Sequence, residues 1–82
     1  MSAVREVVEV VARALTDHPD QVQVTESQHN QTMRIELFVA PGELGKVIGK
    51  QGRTAAALRT LAATAGEKEG QTVTLEIRDG KP

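Results

Sequence analysis

Hydrophobic residues near the N-terminus recur at helical spacing. Five aliphatic residues fall on one helical stripe of the first segment: Val4, Val7, Val8, Val11 and Leu15. That spacing predicts an amphipathic helix, and Ser2 is a residue type that caps one. Pro19 lacks the amide N–H and its ring clashes with a preceding turn, so the helix is expected to stop within TDHPD.

The next two segments alternate hydrophobic and polar residues with period two, which is typical of half-buried strands. QVQVTESQ places Val22 and Val24 on one face, and TMRIELFV places four residues on one face: Met33, Ile35, Leu37 and Val39. The short polar link HNQ predicts a hairpin. The same alternation predicts that Phe38 is at least partly exposed on the outer face of the sheet, where it could anchor a partner.

After the hairpin the pattern predicts two helices and a strand. Pro41 is expected to open a short helix that carries Leu44, Val47 and Ile48. RTAAALRTLAATA predicts a second helix, ended by a left-handed cap at Gly66, with three residues inward: Leu58, Leu61 and Ala62. QTVTLEIR predicts a third strand with one apolar face: Val73, Leu75 and Ile77. The order α-β-β-α-α-β predicts an α+β fold with helices on one face of a three-stranded sheet.

Composition narrows the functional classes. The chain has 82 residues, of which 39% are hydrophobic and 26% charged, a balance typical of a globular domain. No apolar run approaches the roughly 20 residues that span a bilayer, and the charged N-terminus does not resemble a secretory signal. We therefore expect a cytoplasmic protein. There is no cysteine, and His18 and His29 stand far apart, so we expect no metal site and no cofactor. Nucleophile–base spacings are lacking too, which predicts a protein that is not an enzyme.

The charge distribution is uneven although the net charge is −1. Residues 1–30 hold five acids and two bases, whereas residues 41–60 hold four bases and one acid. Four bases alone are more often a solvated helix face. A compact basic patch can still attract phosphate, because screening leaves only charges within about 8–10 Å effective.

The basic segment contains GKVIGKQGR, from Gly45 to Arg53. Its glycines fit neither the P-loop nor the dinucleotide-binding pattern, because the required spacings are absent. What remains is GKQG, from Gly49 to Gly52, between two predicted helices. Two glycines around two polar residues allow a sharp turn and a close backbone approach. The helix that follows directs its free N–H groups toward whatever the loop holds.

LGKVIGKQGRTAAALRTL resembles the core motif of the KH domain, in particular that of the small bacterial single-KH RNA-binding proteins of the KhpA-like family. The resemblance covers nearly the whole chain and implies one KH domain over residues 1–82. Its core would be about 32–78, with a helix–strand extension over 2–28. It further implies the type II arrangement, with a mixed sheet in which the last strand is parallel to the second.

The resemblance also implies site residues. The backbone clamp would be formed by Gly49, Lys50, Gln51 and Gly52. One side of a base groove would be lined by Leu44, Gly45 and Ile48, with Arg53 supporting the loop. Lys46 joins the predicted RNA-binding set as a basic neighbour, although it and Arg59 are more often solvated. Ala55 stands where many KH domains have a bulky aliphatic residue, which implies a wider groove or looser helix packing.

Three functions follow from these patterns. The first is binding of single-stranded RNA over about four nucleotides, in post-transcriptional regulation or as an RNA chaperone. The resemblance implies self-association as a dimer, or pairing with a second KH protein of the KhpB/Jag type. The second is an assembly module in which RNA contact is incidental, since the Ala-rich helix permits close approach. The third is single-stranded DNA binding, because a loop that contacts backbone does not select the 2′-hydroxyl.

Overall fold

The computed structural model describes residues 2–82 and consists of a three-stranded sheet with three helices on one face. The elements in chain order are α1 (Ala3–Leu15), β1 (Gln23–His29), β2 (Thr32–Val39), α2 (Leu44–Ile48), α3 (Arg53–Lys68) and β3 (Thr72–Asp79). Single 3-10 turns at Pro19–Gln21 and Lys50–Gly52 precede β1 and α3. The predicted α-β-β-α-α-β order is confirmed.

The sheet order is β1-β2-β3, with β2 in the centre. Strand β1 pairs antiparallel with β2 through a hairpin, in which Asn30 has a left-handed φ of 57°. Strand β3 pairs parallel with β2, in a register that sets Ile35 opposite Leu75. The mixed sheet and the parallel pair of the last two strands are therefore confirmed.

One apolar core lies between the sheet and the helices. Its fully buried side chains include Val4, Val8, Ile35, Leu37, Val47 and Leu58. Ser2 caps α1 as predicted, because its hydroxyl accepts a hydrogen bond from the Arg5 amide at 3.0 Å. The predicted inward faces of β1, β2 and β3 are confirmed, with Val73 and Ile77 only partly buried at the edge of the core.

In each of the two edge strands, β1 and β3, one backbone carbonyl accepts a hydrogen bond from an arginine side chain of a helix. Arg5 of α1 donates from Nε to the Val24 carbonyl at 3.0 Å, and Arg59 of α3 donates to the Leu75 carbonyl at 3.3 Å. Capping of this kind blunts an edge that could otherwise pair with another chain.

Three predictions about single residues were wrong. Phe38 is 6% exposed and not open to solvent, although it lies on the outer face between its cross-strand neighbours Gln23 and Arg78. Leu61 is 50% exposed and does not face inward. Gly66 does not cap α3, which continues to Lys68.

The start of α2 and the end of α3 also differ from the predicted boundaries. A turn at Pro41 precedes α2, which begins only at Leu44. Gly66 is buried within α3, where an added Cβ would lie 2.4 Å from Val73 Cγ2, and it is Gly70 that adopts the left-handed conformation with a φ of 70°. Close packing of α3 on β3 therefore requires glycine at position 66.

Candidate nucleic-acid interface

The GKQG segment forms a tight turn between α2 and α3. Gly49 has φ 75° and ψ 175°, and Gly52 has φ 73° and ψ 12°. Gln51 is also left-handed, with φ 57° and ψ 24°. A left-handed conformation is uncommon for a residue with a side chain and costs about 1–2 kcal/mol. Three positive φ angles in four residues turn the chain back sharply, and the two glycines alone do not produce the turn.

The loop is fastened to the first turn of α3. A Cβ on Gly49 would lie 2.2 Å from Thr54 Oγ1, so Thr54 packs directly on the loop backbone. The next residue, Ala55, is 4% exposed beneath it. Space beside Gly52 is open, and its left-handed φ alone explains that glycine. The backbone of the GKQG turn is thus fixed by conformation at both ends and by packing at one.

The cations at the turn are free of acidic partners. Lys50 and Arg53 are exposed, and within residues 2–82 no carboxylate lies within 4.0 Å of either side chain. Helix α3 begins at Arg53 without a side-chain cap. Two unpaired cations and the positive end of a 16-residue helix therefore meet at one exposed turn.

Lys46 lies apart from this group. Its ammonium forms an ion pair with Asp17 and lies 3.9 Å from Glu43 Oε1. The hydrogen bond to Asp17 raises the pKa of Lys46 and lowers that of Asp17. The structure therefore brings together Lys50, Gln51 and Arg53 of the predicted set and directs Lys46 elsewhere.

The apolar members of the predicted site lie on α2 beside the loop. Leu44 and Ile48 are half-buried, and Val47 between them is fully buried in the core. Gly45 is exposed and has open space where a side chain would project. No neighbouring helix therefore packs closely enough on this position to require a glycine.

The prediction that Arg59 is solvated agrees with its exposure, but that prediction did not include a contact with β3. The contact of Arg59 with the Leu75 carbonyl places its guanidinium at the outer edge of β3, where Ile77 is half-buried. The available signal was helical spacing, since Arg59 falls on the same face of α3 as the buried Ala55 and Ala62.

The two histidines lie apart, with His18 in the connection between α1 and β1 and His29 in β1. Nδ1 of His18 is 3.2 Å from Glu43 Oε1, and His29 ends the strand. Among residues 2–82 no group of three or more His, Cys, Asp or Glu side chains is arranged to hold a metal ion. In the same part of the chain no helix combines the length and the apolar character needed to cross a membrane.

Curated relatives match over nearly the whole chain. The RNA-binding protein KhpA of Aquifex aeolicus (strain VF5) is 54% identical over 77 residues, which cover 94% of this chain and 98% of that protein. The RNA-binding protein KhpA of Caldanaerobacter subterraneus subsp. tengcongensis is 53% identical over 72 residues, covering 88% and 96%.

Two solved structures share the fold. Era in complex with MgGDPNP and nucleotides 1506-1542 of 16S ribosomal RNA matches with a TM-score of 0.62 at 20% identity, over 93% of this chain and 29% of that one. An Aquifex aeolicus Era variant bound to GDP.AlF4- matches with a TM-score of 0.64 at 21% identity, over 96% and 31%. Together with the parallel β2–β3 pair, these matches identify the type II KH fold.

A family model described as the KhpA/KhpB KH domain matches residues 5–77. That range includes β1, β2, α2, the GKQG turn and α3, and all of β3 except its last two residues. The chain belongs to the KhpA/KhpB family of KH domains.

Proposed function

We propose that this chain binds single-stranded RNA through the GKQG turn, which would hold the backbone of about four nucleotides. The observation that carries the proposal is the turn itself, an exposed left-handed backbone between Lys50 and Arg53, whose charges no carboxylate neutralises within residues 2–82. The names of the KhpA relatives support the same function. The protein would act by binding and not as an enzyme, in the cytoplasm.

The bases would lie beside the turn, against an apolar strip. Leu44, Gly45 and Ile48 would form the side next to α2, and the open space at Gly45 would admit a base or a sugar closely. On the other side, Ile77 and the guanidinium of Arg59 line the edge of β3. Aliphatic packing and hydrogen bonds to base edges would replace aromatic stacking, because Phe38 is buried on the opposite sheet face.

Such a site would bind with modest affinity and little sequence preference. Phosphate contacts supply much of the affinity for a nucleic acid, and this turn offers two unpaired cations. One KH domain over 1–82, with its core at about 32–78, would serve as a general RNA contact in post-transcriptional regulation or RNA chaperoning. Single-stranded DNA is the alternative ligand, since a backbone clamp does not read the 2′-hydroxyl.

Amide chemical-shift mapping tests the proposal. A ten-nucleotide single-stranded RNA titrated into the labelled protein should shift the amides of residues 44–53 and those at the edge of β3. Titration with single-stranded DNA of the same sequence tests whether the protein selects the sugar. Titration with an RNA duplex of that sequence tests whether the protein requires a single strand. Shifts confined to the outer sheet face, or none at all, would contradict the proposed function.

The second candidate function is assembly, and an exposed apolar surface on two packed helices favours it. Val10 of α1 is 61% exposed and Leu61 of α3 is 50% exposed. Ala3, Glu6, Val7, Val10 and Val11 line a shallow concavity along α1. A second copy of this chain, or a KhpB/Jag-like KH protein, would cover this surface. Phe38 cannot serve as the anchor that the sequence suggested, because it is buried.

A further inference from the structure

Helix α2 needs support from outside itself. It has only five residues, and a helix this short is not stable alone, because nucleation costs more than so few hydrogen bonds return. Val47 is fully buried and, with the partly buried Leu44, anchors one side of the helix to the core. This apolar anchor leaves the opposite side of α2 without support, and a rotation of α2 about it would displace the GKQG turn.

Glu43, immediately before α2, supplies a second anchor. The residue is 5% exposed, and its Oε1 accepts a hydrogen bond of 2.7 Å from the Asp17 amide and lies 3.2 Å from His18 Nδ1. Burial would raise the pKa of Glu43, but the Asp17 amide, with His18, outweighs it and leaves the pKa below its ordinary value. A buried carboxylate is tolerated only where such partners exist. Both partners belong to the connection between α1 and β1.

Lys46 connects α2 to the same segment. Its ion pair with Asp17 joins positions 29 apart in sequence. Lys46 is two positions from both Leu44 and Ile48, so it lies about 160° from each around the helix axis. The polar contacts of α2 are therefore on the side away from the apolar strip, and they leave that strip open to a ligand.

We propose that Glu43 is the positioning residue of the RNA clamp, and that Lys46 and Asp17 assist it without contacting RNA. This inference rests on the proposed function and adds to it the element that fixes the clamp. Glu43 holds the start of α2 against the α1–β1 connection, and so sets the angle at which Gly49–Gly52 meets the RNA backbone.

Substitution of Glu43 tests the proposal, because a positioning role and a purely electrostatic role predict opposite changes in RNA affinity. Glu43→Ala removes an acid near the site, which should strengthen RNA binding if charge alone mattered. As a positioning residue, its loss should weaken binding to a labelled single-stranded RNA by roughly tenfold. Glu43→Gln retains an oxygen for the Asp17 amide and should recover part of that loss.

Val4→Ala is the control for general destabilisation, because Val4 is fully buried in α1. At a temperature where every variant is folded, it should change RNA affinity by no more than about twofold. If Glu43→Ala bound RNA as tightly as the parent, or if Val4→Ala lost as much affinity, the positioning role would be wrong.

Hydrogen exchange tests positioning independently of RNA. The Gly49 amide donates to the Gly45 carbonyl at 2.8 Å and the Lys46 amide to the Glu43 carbonyl at 3.0 Å. Both amides should exchange about tenfold faster in Glu43→Ala but not in Val4→Ala, because amides of so short a helix exchange through local opening. Unchanged exchange in α2 would overturn the proposal. A parent protein that does not bind RNA would refute the proposed function alone, since exchange still decides the role of Glu43.

The Lys46→Gln variant distinguishes a role of Lys46 in positioning α2 from a direct contact of Lys46 with an RNA phosphate. The variant should leave the slope of log affinity against log salt unchanged, because the lysine faces away from the strip. A slope flattened by about 0.7, the value for one lost contact to a single strand, would show that Lys46 reaches a phosphate and would overturn its assignment.

Discussion

At the scale of single residues, glycines of the helical layer differ in what a side chain would meet. A Cβ on Gly49 would lie 2.2 Å from Thr54 Oγ1, and one on Gly66 would lie 2.4 Å from Val73 Cγ2. A Cβ on Gly45 would meet nothing within 4 Å. The fold explains the first two glycines and gives no reason for the third. Under the proposed function, bound RNA would approach α2 at this position and would supply that reason.

Gly45→Ala should therefore separate stability from binding. Alanine at an open helical position should raise the free energy of unfolding by about 0.5–1 kcal/mol. The added methyl group should obstruct the approach of RNA and weaken binding by roughly tenfold, or about 1.4 kcal/mol. Urea unfolding and fluorescence anisotropy measure the two effects. A variant that binds RNA as the parent does would show that no ligand approaches this glycine.

Gly49→Ala should show the opposite stability effect. Its φ of 75° and ψ of 175° fall in a region that is essentially restricted to glycine, so the substitution should cost about 1–3 kcal/mol. The overlap with Thr54 adds to that cost. Urea unfolding of both alanine variants is the measurement. Equal stability of Gly45→Ala and Gly49→Ala would contradict this description of the loop.

At the scale of elements, the strands and their faces could be predicted because alternation is a local property. The GKQG turn between two helices could be predicted because its two glycines lie close together in sequence. The burial of Phe38 could not be predicted from the sequence. It depends on Gln23 and Arg78, which the strand register places beside Phe38 on the neighbouring strands. The role of Gly66 depends in the same way on Val73, and that of Lys46 on Asp17.

The outer face of the sheet carries an ion-pair network across β2 and β3. Arg34 lies 3.0 Å from Glu76 and 3.6 Å from Glu36, and Arg78 pairs with both acids. The hydrogen bond from Arg34, followed by that from Arg78, holds the pKa of Glu76 below its ordinary value. The Glu76 carboxylate therefore binds a proton more readily in the unfolded chain than in the folded protein. Glu76 contributes to stability at pH values above the ordinary pKa of glutamate, where it is ionised in both states.

Stability should consequently fall as the pH drops below about 4.3, the ordinary glutamate value, toward the lower pKa of the folded state. In Glu76→Gln this part of the acid dependence should be absent, so its melting temperature should fall less steeply between about pH 5 and pH 3. Calorimetric scans across that range measure the difference. Identical slopes for parent and variant would show that the network does not perturb Glu76.

At the scale of the whole molecule, the two exposed surfaces lie at different places. The proposed clamp is at the α2–α3 turn, whereas the apolar surface has Val10 on α1 and Leu61 on α3, eight residues after Arg53. A dimer formed through the latter would leave both clamps open. Two linked sites would raise the avidity for a longer RNA without any new contact.

Leu61→Glu tests that arrangement. The variant should remain folded, because the residue is half-exposed, and it should be a monomer by analytical ultracentrifugation at concentrations where the parent is a dimer. Thr60→Glu, an equally charged change on another face of α3, should leave the dimer intact. A parent protein that is monomeric at high concentration would exclude self-association through this surface.

The central claim is that the GKQG turn holds RNA backbone, and the double variant Lys50→Asp with Gln51→Asp tests it most directly. Both residues are exposed, and aspartate tolerates the left-handed conformation of position 51, so stability should change by no more than about 0.5 kcal/mol. The charge of the two positions changes from +1 to −2, which should repel phosphate.

The measurement is fluorescence anisotropy on a short labelled single-stranded RNA across a salt series, with circular dichroism to verify folding. The double variant should bind at least about tenfold more weakly, with a salt slope flattened by roughly 0.7 for one lost contact. Lys68→Asp with Gln28→Asp makes the same charge change at the last residue of the 16-residue α3 and on β1, and this variant should bind nearly as the parent does. A folded Lys50→Asp, Gln51→Asp protein that binds RNA as tightly as the parent would contradict the clamp and favour the assembly function.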